Sequence, residues 1–356
     1  MAVYLLYMAS PVLICLLLEL LSGQSVNGNQ KIKTKYLVLA GLVLFLMVGL
    51  RHPGNGSGDT QFYCDFWRST AKVPLSGLIQ YLKNTDLEYG FQLCVWLLAK
   101  LFKNQQWILI FSGAFFAVSV CRFAQKNCKD VVLALTVFNC LGLFNFMVQG
   151  MRQAVAMCIC LWAIEQCKKN RFIPFFLLVV LAATFHASAV VFALVYLLGK
   201  LSLNLKGYLL VAAGVIASAL LLSRLFQIVN FFINDHYEIG KGADSGGLVA
   251  IAIHLAVLVF GLLFRDKEDP HYPLFVYMVF VSAVMLIMRN TVSSIVERMS
   301  YYFAFGEMAV ISNSVSALKS KDTKILTGVL ITLLCIGVAV YKASYSILIP
   351  YRFFWQ

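Results

Sequence analysis

Three arginines, two carboxylates and a histidine stand where a largely apolar chain does not ordinarily keep such groups: Arg51, Arg152 and Arg298, Asp59 and Glu88, and His186. A guanidinium grips phosphate oxygens in a planar fork, so arginines at membrane depth suit an anionic group at headgroup level. A carboxylate close to them can take the proton from a sugar hydroxyl as it attacks. Aromatic residues along Phe62 to Trp67 and Tyr89 to Trp96 could stack on sugar faces, although aromatics at a membrane interface also serve as plain anchors. Such a set describes a place where a lipid-linked phosphate meets a hydrophilic acceptor. The glycine-rich run Gly54-Asn55-Gly56-Ser57-Gly58 is no nucleotide cradle, because it lacks the lysine and the preceding strand of a phosphate-binding loop.

Each residue also has an ordinary reading. Arg51, at the end of an apolar run, could snorkel to the interface. Asp59 could cap a helix beginning near Gln61, and His186, in Ala183-Thr184-Phe185-His186-Ala187-Ser188, could be a satisfied turn histidine. Arg152 weighs toward function, because Gly150-Met151-Arg152-Gln153-Ala154 runs straight into apolar helix, where a buried guanidinium costs about 3 kcal/mol. Arg298 shares a helix face with Tyr301 and Tyr302 and could line a polar cavity, whereas its neighbour Glu297 does not face it. His254, Glu165 and Glu307 read as packing or boundary residues.

The elements that must position this set are membrane helices. With 61% hydrophobic and 13% charged residues, the chain cannot cover itself with a soluble surface, which needs about 25% charged residues. The expected fold is all-α, a polytopic membrane bundle forming one domain over residues 1–356. Spans are expected near 3–21, 36–50, 106–123, 131–147, 151–167, 172–185, 187–200, 207–222, 247–264, 273–288, 292–317 and 325–347, about twelve in all. The first run, Tyr4 to Leu21, reads as a retained span, without a basic n-region or cleavage site. Several spans are short for a bilayer and need bundling or local thinning.

The net charge of +13 is spread over short loops, which makes it a topology signal and not a nucleic-acid footprint. Lys31/Lys33/Lys35, Arg122/Lys126/Lys129, Lys168/Lys169/Arg171, Lys200/Lys206, Arg265/Lys267 and Lys319/Lys321/Lys324 all fall on the cytoplasmic side. Phe91 to Phe102 then lies in the interface as an amphipathic helix, because counting it as a span would invert every later loop. Under this topology Arg51, Asp59, Glu88, Gln149, Arg152, His186, Arg289, Glu297 and Arg298 share the outer face. Outer loops 51–105 and 223–246 flank it, the second contributing Arg224, Asp235, His236, Glu238, Lys241 and Asp244. The ten cysteines show no metal-ligand spacing and mostly behave as small hydrophobes, and Cys64 and Cys94 in the first outer loop could pair.

Gly-Asp-Thr-x-x-Tyr at 58–63, Glu88-Tyr89-Gly90-Phe91, Met151-Arg152-Gln153, Phe185-His186-Ala187-Ser188 and Glu297-Arg298-x-x-x-Tyr302-Phe303 follow an arginine-ended second span. In that order they resemble the EpsG family of Wzy-like exopolysaccharide and O-antigen polymerases, across nearly the whole chain. The resemblance implies a GT-C-like helical fold in a bacterial plasma membrane. It implies a glycosyltransferase that joins undecaprenyl-diphosphate-linked repeat units at the outer face, in exopolysaccharide, capsule or O-antigen synthesis. Donor and acceptor are both lipid-linked oligosaccharides, and a chain-length regulator is a partner the resemblance suggests. Arg51, Arg152 and Arg298, with Gln153 and Tyr302, would hold the diphosphates. Asp59 or Glu88 would be the base, and His186 would position or protonate a phosphate oxygen. The leaving diphosphate departs readily, so no metal or other cofactor is expected.

Three other functions share parts of this pattern. A flippase or transporter of lipid-linked glycan would place polar residues along both halves of its helices, while here the cytoplasmic half holds little beyond loop lysines. An O-antigen ligase shares the donor chemistry and differs in its acceptor. An intramembrane serine protease needs a Gly-x-Ser-Gly nucleophile, and Ser112-Gly113 follows Ile110-Phe111.

Overall fold

Caps and breaks divide the apolar chain into helices. The computed structural model describes residues 1–54, 58–85, 87–217, 245–289, 294–344, 346 and 348–356. Among them there is no strand, only an isolated bridge between Arg51 and Phe353. Two compact units emerge, Met1–Val190 with Ile325–Gln356, and Val191–Lys324.

The first unit opens with α1 (Ala2–Ser22), closed by Gly23 in the left-handed conformation at φ 65°. Asn29 starts α2 (Gln30–Gly49) by accepting from the Lys31 and Ile32 amides. Then come α3 (Gly58–Thr70), α4 (Leu78–Lys83), α5 (Tyr89–Leu101) and α6 (Gln106–Asn127). The α2 and α6 backbones approach closely: a β-carbon on Gly113 would lie 2.6 Å from the Gly49 nitrogen. Asp130 caps α7 (Val131–Cys140), and a break at Gly142, φ 122°, turns the chain by 55° into α8 (Leu143–Gln149). Lys342 spans that break, its Nζ donating to the freed Leu141 carbonyl at 2.6 Å. Helices α9 (Met151–Lys168) and α10 (Phe172–Ala183) follow. Polar side chains join helices in the manner of a membrane bundle, as where Tyr7 donates to Asn139 at 2.8 Å and Tyr4 to Asn145 at 2.9 Å.

The chain's last residues return to the end of α2. Phe354 donates its amide to the Leu50 carbonyl, His52 donates to the Arg352 carbonyl, both at 2.9 Å, and Tyr351 donates its hydroxyl to the Met47 carbonyl at 2.6 Å.

The second unit comprises α11 (Leu194–Leu198), α12 (Leu205–Ala217), α13 (Ser245–Leu263), α14 (Tyr272–Met288), α15 (Ser294–Ala304) and α16 (Gly306–Ala317). Helix α14 forms its core, buried along most of its length, with Tyr272 donating to the Gly261 carbonyl at 2.7 Å. His254 and Glu307, expected as packing residues, form a buried pair at 3.3 Å. Helix α17 (Lys321–Ala343) then leads into the carboxy-terminal part of the first unit.

Four described helices are long and apolar enough to cross a bilayer, α1, α2, α6 and α17, or five if the bent α7–α8 pair counts as one. Other expected spans fall on shorter apolar helices: α10, at 12 residues, reaches about 18 Å against a core of about 30 Å. Helix α9 has the length, but Arg152, Glu165 and Lys168 lower its apolar character. The expected 187–200 span is a 3-10 turn, Ala187–Ala193, followed by α11, and the 292–317 span is α15 and α16 meeting at Phe305. Of the stretch Phe91 to Phe102, all but the extended Phe102 is helical within α5, which buries Phe91, Gln92, Val95 and Leu98 along one stripe. Cys64 and Cys94 are both free thiols. The loop charges from Arg224 to Asp244 lie outside the described residues.

Candidate functional site

Glu88 precedes α5 with extended backbone and its side chain makes no capping bond to that helix, so its carboxylate is available elsewhere. The start of α5 is docked on the end of α10: the Gly90 amide donates to the Thr184 carbonyl at 2.8 Å and the Phe91 amide to the same oxygen at 3.3 Å. Only glycine allows this approach, since a β-carbon at residue 90 would sit 2.7 Å from that carbonyl oxygen. The docking carries Glu88 to the turn that follows α10. There its Oε1 accepts from His186 Nδ1 at 2.9 Å and from the Ala187 amide at 3.1 Å, capping the 3-10 turn.

The other carboxylate oxygen accepts from Arg152 Nη1, in the first turn of α9. Arg152 also donates through Nε to the Tyr63 hydroxyl at 2.9 Å, and its guanidinium lies 5.6 Å from the centre of the Tyr63 ring. Two of the five guanidinium N–H groups are thus engaged. Tyr63 belongs to α3 and packs edge-on against Phe91 at 5.1 Å, which fixes α3 against α5. The side chains of Arg152, His186 and Glu88 are 24%, 22% and 19% exposed, so a ligand can reach a cluster that is already desolvated.

Burial alone would push the Glu88 carboxyl up. The His186 bond, the Arg152 charge and the Ala187 amide outweigh it and hold Glu88 at about 2. Burial raises the Tyr63 phenol against the opposing pull of Arg152, so it remains a protonated hydroxyl. An ionised carboxylate only accepts, so His186 donates to Glu88 through Nδ1, and Nε2 is the ring nitrogen that makes no bond to it. This is a carboxylate behind an imidazole, next to a cation with three N–H groups unengaged among the described residues.

The structure brings Glu88, Arg152 and His186 together. Asp59 lies exposed on the first turn of α3, one turn before Tyr63. Gln153 is buried, 3% exposed. Arg51 is fully buried and its guanidinium faces protein groups: Nη2 donates to the Val148 carbonyl at 3.0 Å and to Thr60 Oγ1 at 3.3 Å, and Nη1 to the Val48 carbonyl at 3.4 Å. Gln106 in turn donates to the Gly49 and Arg51 carbonyls at 2.8 and 3.0 Å. Burial pushes the Arg51 guanidinium down to about 10, which still leaves it charged at neutral pH. Arg51 therefore ties α2, α3, α8 and the carboxy-terminal segment, and a phosphate could reach it only by displacing those bonds. In the second unit Arg298 is exposed on α15, while Tyr302 is buried and packs against Phe192 at 6.4 Å.

Tyr63 and Gly90 are the residues the motifs contained without a role. Tyr63 lies four positions after Asp59, on the same helix face, which is the signal that could have joined it to the site. The return of residues 351–354 to Arg51 has no local signal at all.

No curated protein and no solved structure matches this chain. The model of the EpsG family matches residues 34–353, a stretch that holds Glu88, Arg152, His186 and Tyr63 together with the helices that position them. The chain belongs to the EpsG family, a Wzy-like polymerase family of polysaccharide synthesis.

Proposed function

We propose that this protein joins repeat units of a polysaccharide carried on undecaprenyl diphosphate, at the outer face of a bacterial plasma membrane. The Glu88–Arg152–His186 cluster is the observation that carries this reading. In the reaction the acceptor hydroxyl oxygen bonds to the donor's anomeric carbon. The bond from that carbon to the lipid diphosphate breaks, and its electron pair leaves with the diphosphate. Arg152, with its remaining N–H groups, holds the leaving diphosphate. The acceptor proton passes to His186 Nε2, and the resulting imidazolium is stabilised by Glu88 and can return the proton to a phosphate oxygen.

Of the two carboxylates, Glu88 held at about 2 is too weak a base for a sugar hydroxyl, because an effective base titrates near working pH. Asp59, exposed one turn from Tyr63, is the carboxylate left to assist at the acceptor. Gln153, Arg298 and Tyr302 enter through their family-like motifs, and Arg51 as the strut beneath the site. The family resemblance carries the GT-C-like arrangement of about twelve spans, and the basic loops favour a site facing outward.

The lipid-linked products of a deletion strain test this. Single repeat units accumulating on lipid support polymerisation. Full-length polymer on lipid points to a ligase, and repeat units trapped on the inner leaflet point to a flippase; either overturns the proposal.

A further inference from the structure

Beyond the end of α3, the first unit holds a groove of about 560 Å³ lined by Trp67, Arg68, Ala71, Lys72, Lys103, Asn104 and Gln105. Its walls are braced: Trp96 donates to the Val73 carbonyl at 3.1 Å, and Lys100 to the Ala71 carbonyl at 2.9 Å, clipping the chain after α3 onto α5. Arg68 is engaged by Asp65 at 2.7 Å. Lys72 and Lys103 are exposed and have no carboxylate partner among the described residues. Asn104 uses its side-chain oxygen on the Gln106 amide at 2.8 Å, which leaves its amide N–H groups as donors. Like-charged ammonium groups around one concavity repel each other unless an anion is shared between them.

The groove and the candidate site share one helix. Tyr63, bonded to Arg152, and Trp67, in the groove wall, are four residues apart on the same buried face of α3. That separation is about 6 Å along the helix. Thr70, the last residue of α3, lies about 10 Å along the helix from Tyr63, and Lys72 follows two residues on. Sugars extending from a reacting end at Arg152 would therefore reach the groove within a few residues.

We infer that this groove binds acidic sugar residues of the glycan, their carboxylate or phosphate groups between Lys72 and Lys103 and their hydroxyls on Asn104 and Gln105. The inference rests on the transfer reading and names the substrate class of that same site as an anionic polysaccharide.

The test is equilibrium binding to the full-length protein in neutral-lipid nanodiscs, without turnover. The probes are a labelled short oligogalacturonate, a neutral malto-oligosaccharide of equal length, and inorganic phosphate as competitor. The expected result is salt-sensitive binding of the acidic oligomer alone, weakened roughly tenfold in the Lys72→Gln/Lys103→Gln variant. Equal binding of the neutral oligomer, or unchanged binding by the variant, overturns the inference. So does full displacement by inorganic phosphate at equal concentration, which would mark a small-anion site. So does loss of the oligomer only in anionic-lipid nanodiscs, which would assign the groove to headgroups. Failure here leaves polymer formation by wild-type membranes untouched, whereas wild-type polymer from an Arg152→Ala variant would sink the transfer reading and leave this binding intact.

Discussion

His186 donates its Nδ1 proton to Glu88 Oε1 at 2.9 Å, joining residues 98 positions apart in the chain across the junction of α5 and α10. The carboxylate fixes the imidazole's tautomer and direction, while its other oxygen anchors Arg152. The imidazole and the guanidinium are thus both held by one partly buried carboxylate. Removing it disturbs both partners.

Glu88→Gln and His186→Gln should therefore be strongly non-additive. His186→Gln removes the proton carrier and is expected to lower polymer formation about 10²- to 10⁴-fold. Adding Glu88→Gln to it should cost less than Glu88→Gln costs alone, because only the Glu88–Arg152 contact is then left to lose. Polymer yield in membranes from the single and double variants measures this. Effects that multiply would separate the two residues.

Glu88 also sets a pH signature. Its carboxyl is held below its unfolded value of about 4.3, near 2 in the folded protein. Its contribution to stability is therefore fully present above about pH 4.3 and is lost as pH falls toward 2. Thermal unfolding in detergent across that acid window should steepen for wild type and flatten for Glu88→Gln. Between pH 5 and 8 the ionisation of Glu88 should leave no trace in the rate of polymer formation.

Arg51 and Arg152 should fail in different ways. Arg51→Ala strips donors from the Val148 carbonyl and Thr60 and opens a cavity, a loss of about 2 to 5 kcal/mol. Its inserted amount and melting temperature should drop. Arg152→Ala, at a partly exposed position, should insert at wild-type levels and lose polymer formation. Normal insertion with lost polymer in Arg51→Ala would instead make Arg51 a ligand-holding group.

Gly90→Ala tests the docking that presents Glu88. The added methyl would meet the Thr184 carbonyl at 2.7 Å, so α5 must shift, at about 1 to 3 kcal/mol. Lower thermal stability together with reduced polymer yield is expected. A variant with unchanged stability would show that α5 is not held by this contact.

Much of this was legible in the residues themselves, for local reasons. Composition alone demanded membrane helices, and Arg152 stood out because a guanidinium entering apolar helix is costly. Glu88 and His186 were visible as polar residues at helix ends, but their pairing was not, since it depends on Gly90 meeting Thr184. Arg51 looked like a phosphate ligand because it ends a span. Its guanidinium is instead taken up by Thr60 and the Val148 carbonyl, and residues 351–354 close over its backbone, long-range pairings with no periodic pattern. Span boundaries at 131–147, 187–200 and 292–317 read as continuous because hydropathy does not register the turn at Gly142, the 3-10 geometry after His186 or the interruption at Phe305.

The most direct measurement is the glycan chain-length profile from membranes carrying Arg152→Ala or His186→Gln at wild-type insertion levels. The account predicts that both lose polymer and accumulate single lipid-linked repeat units. Wild-type chain lengths in both would contradict it.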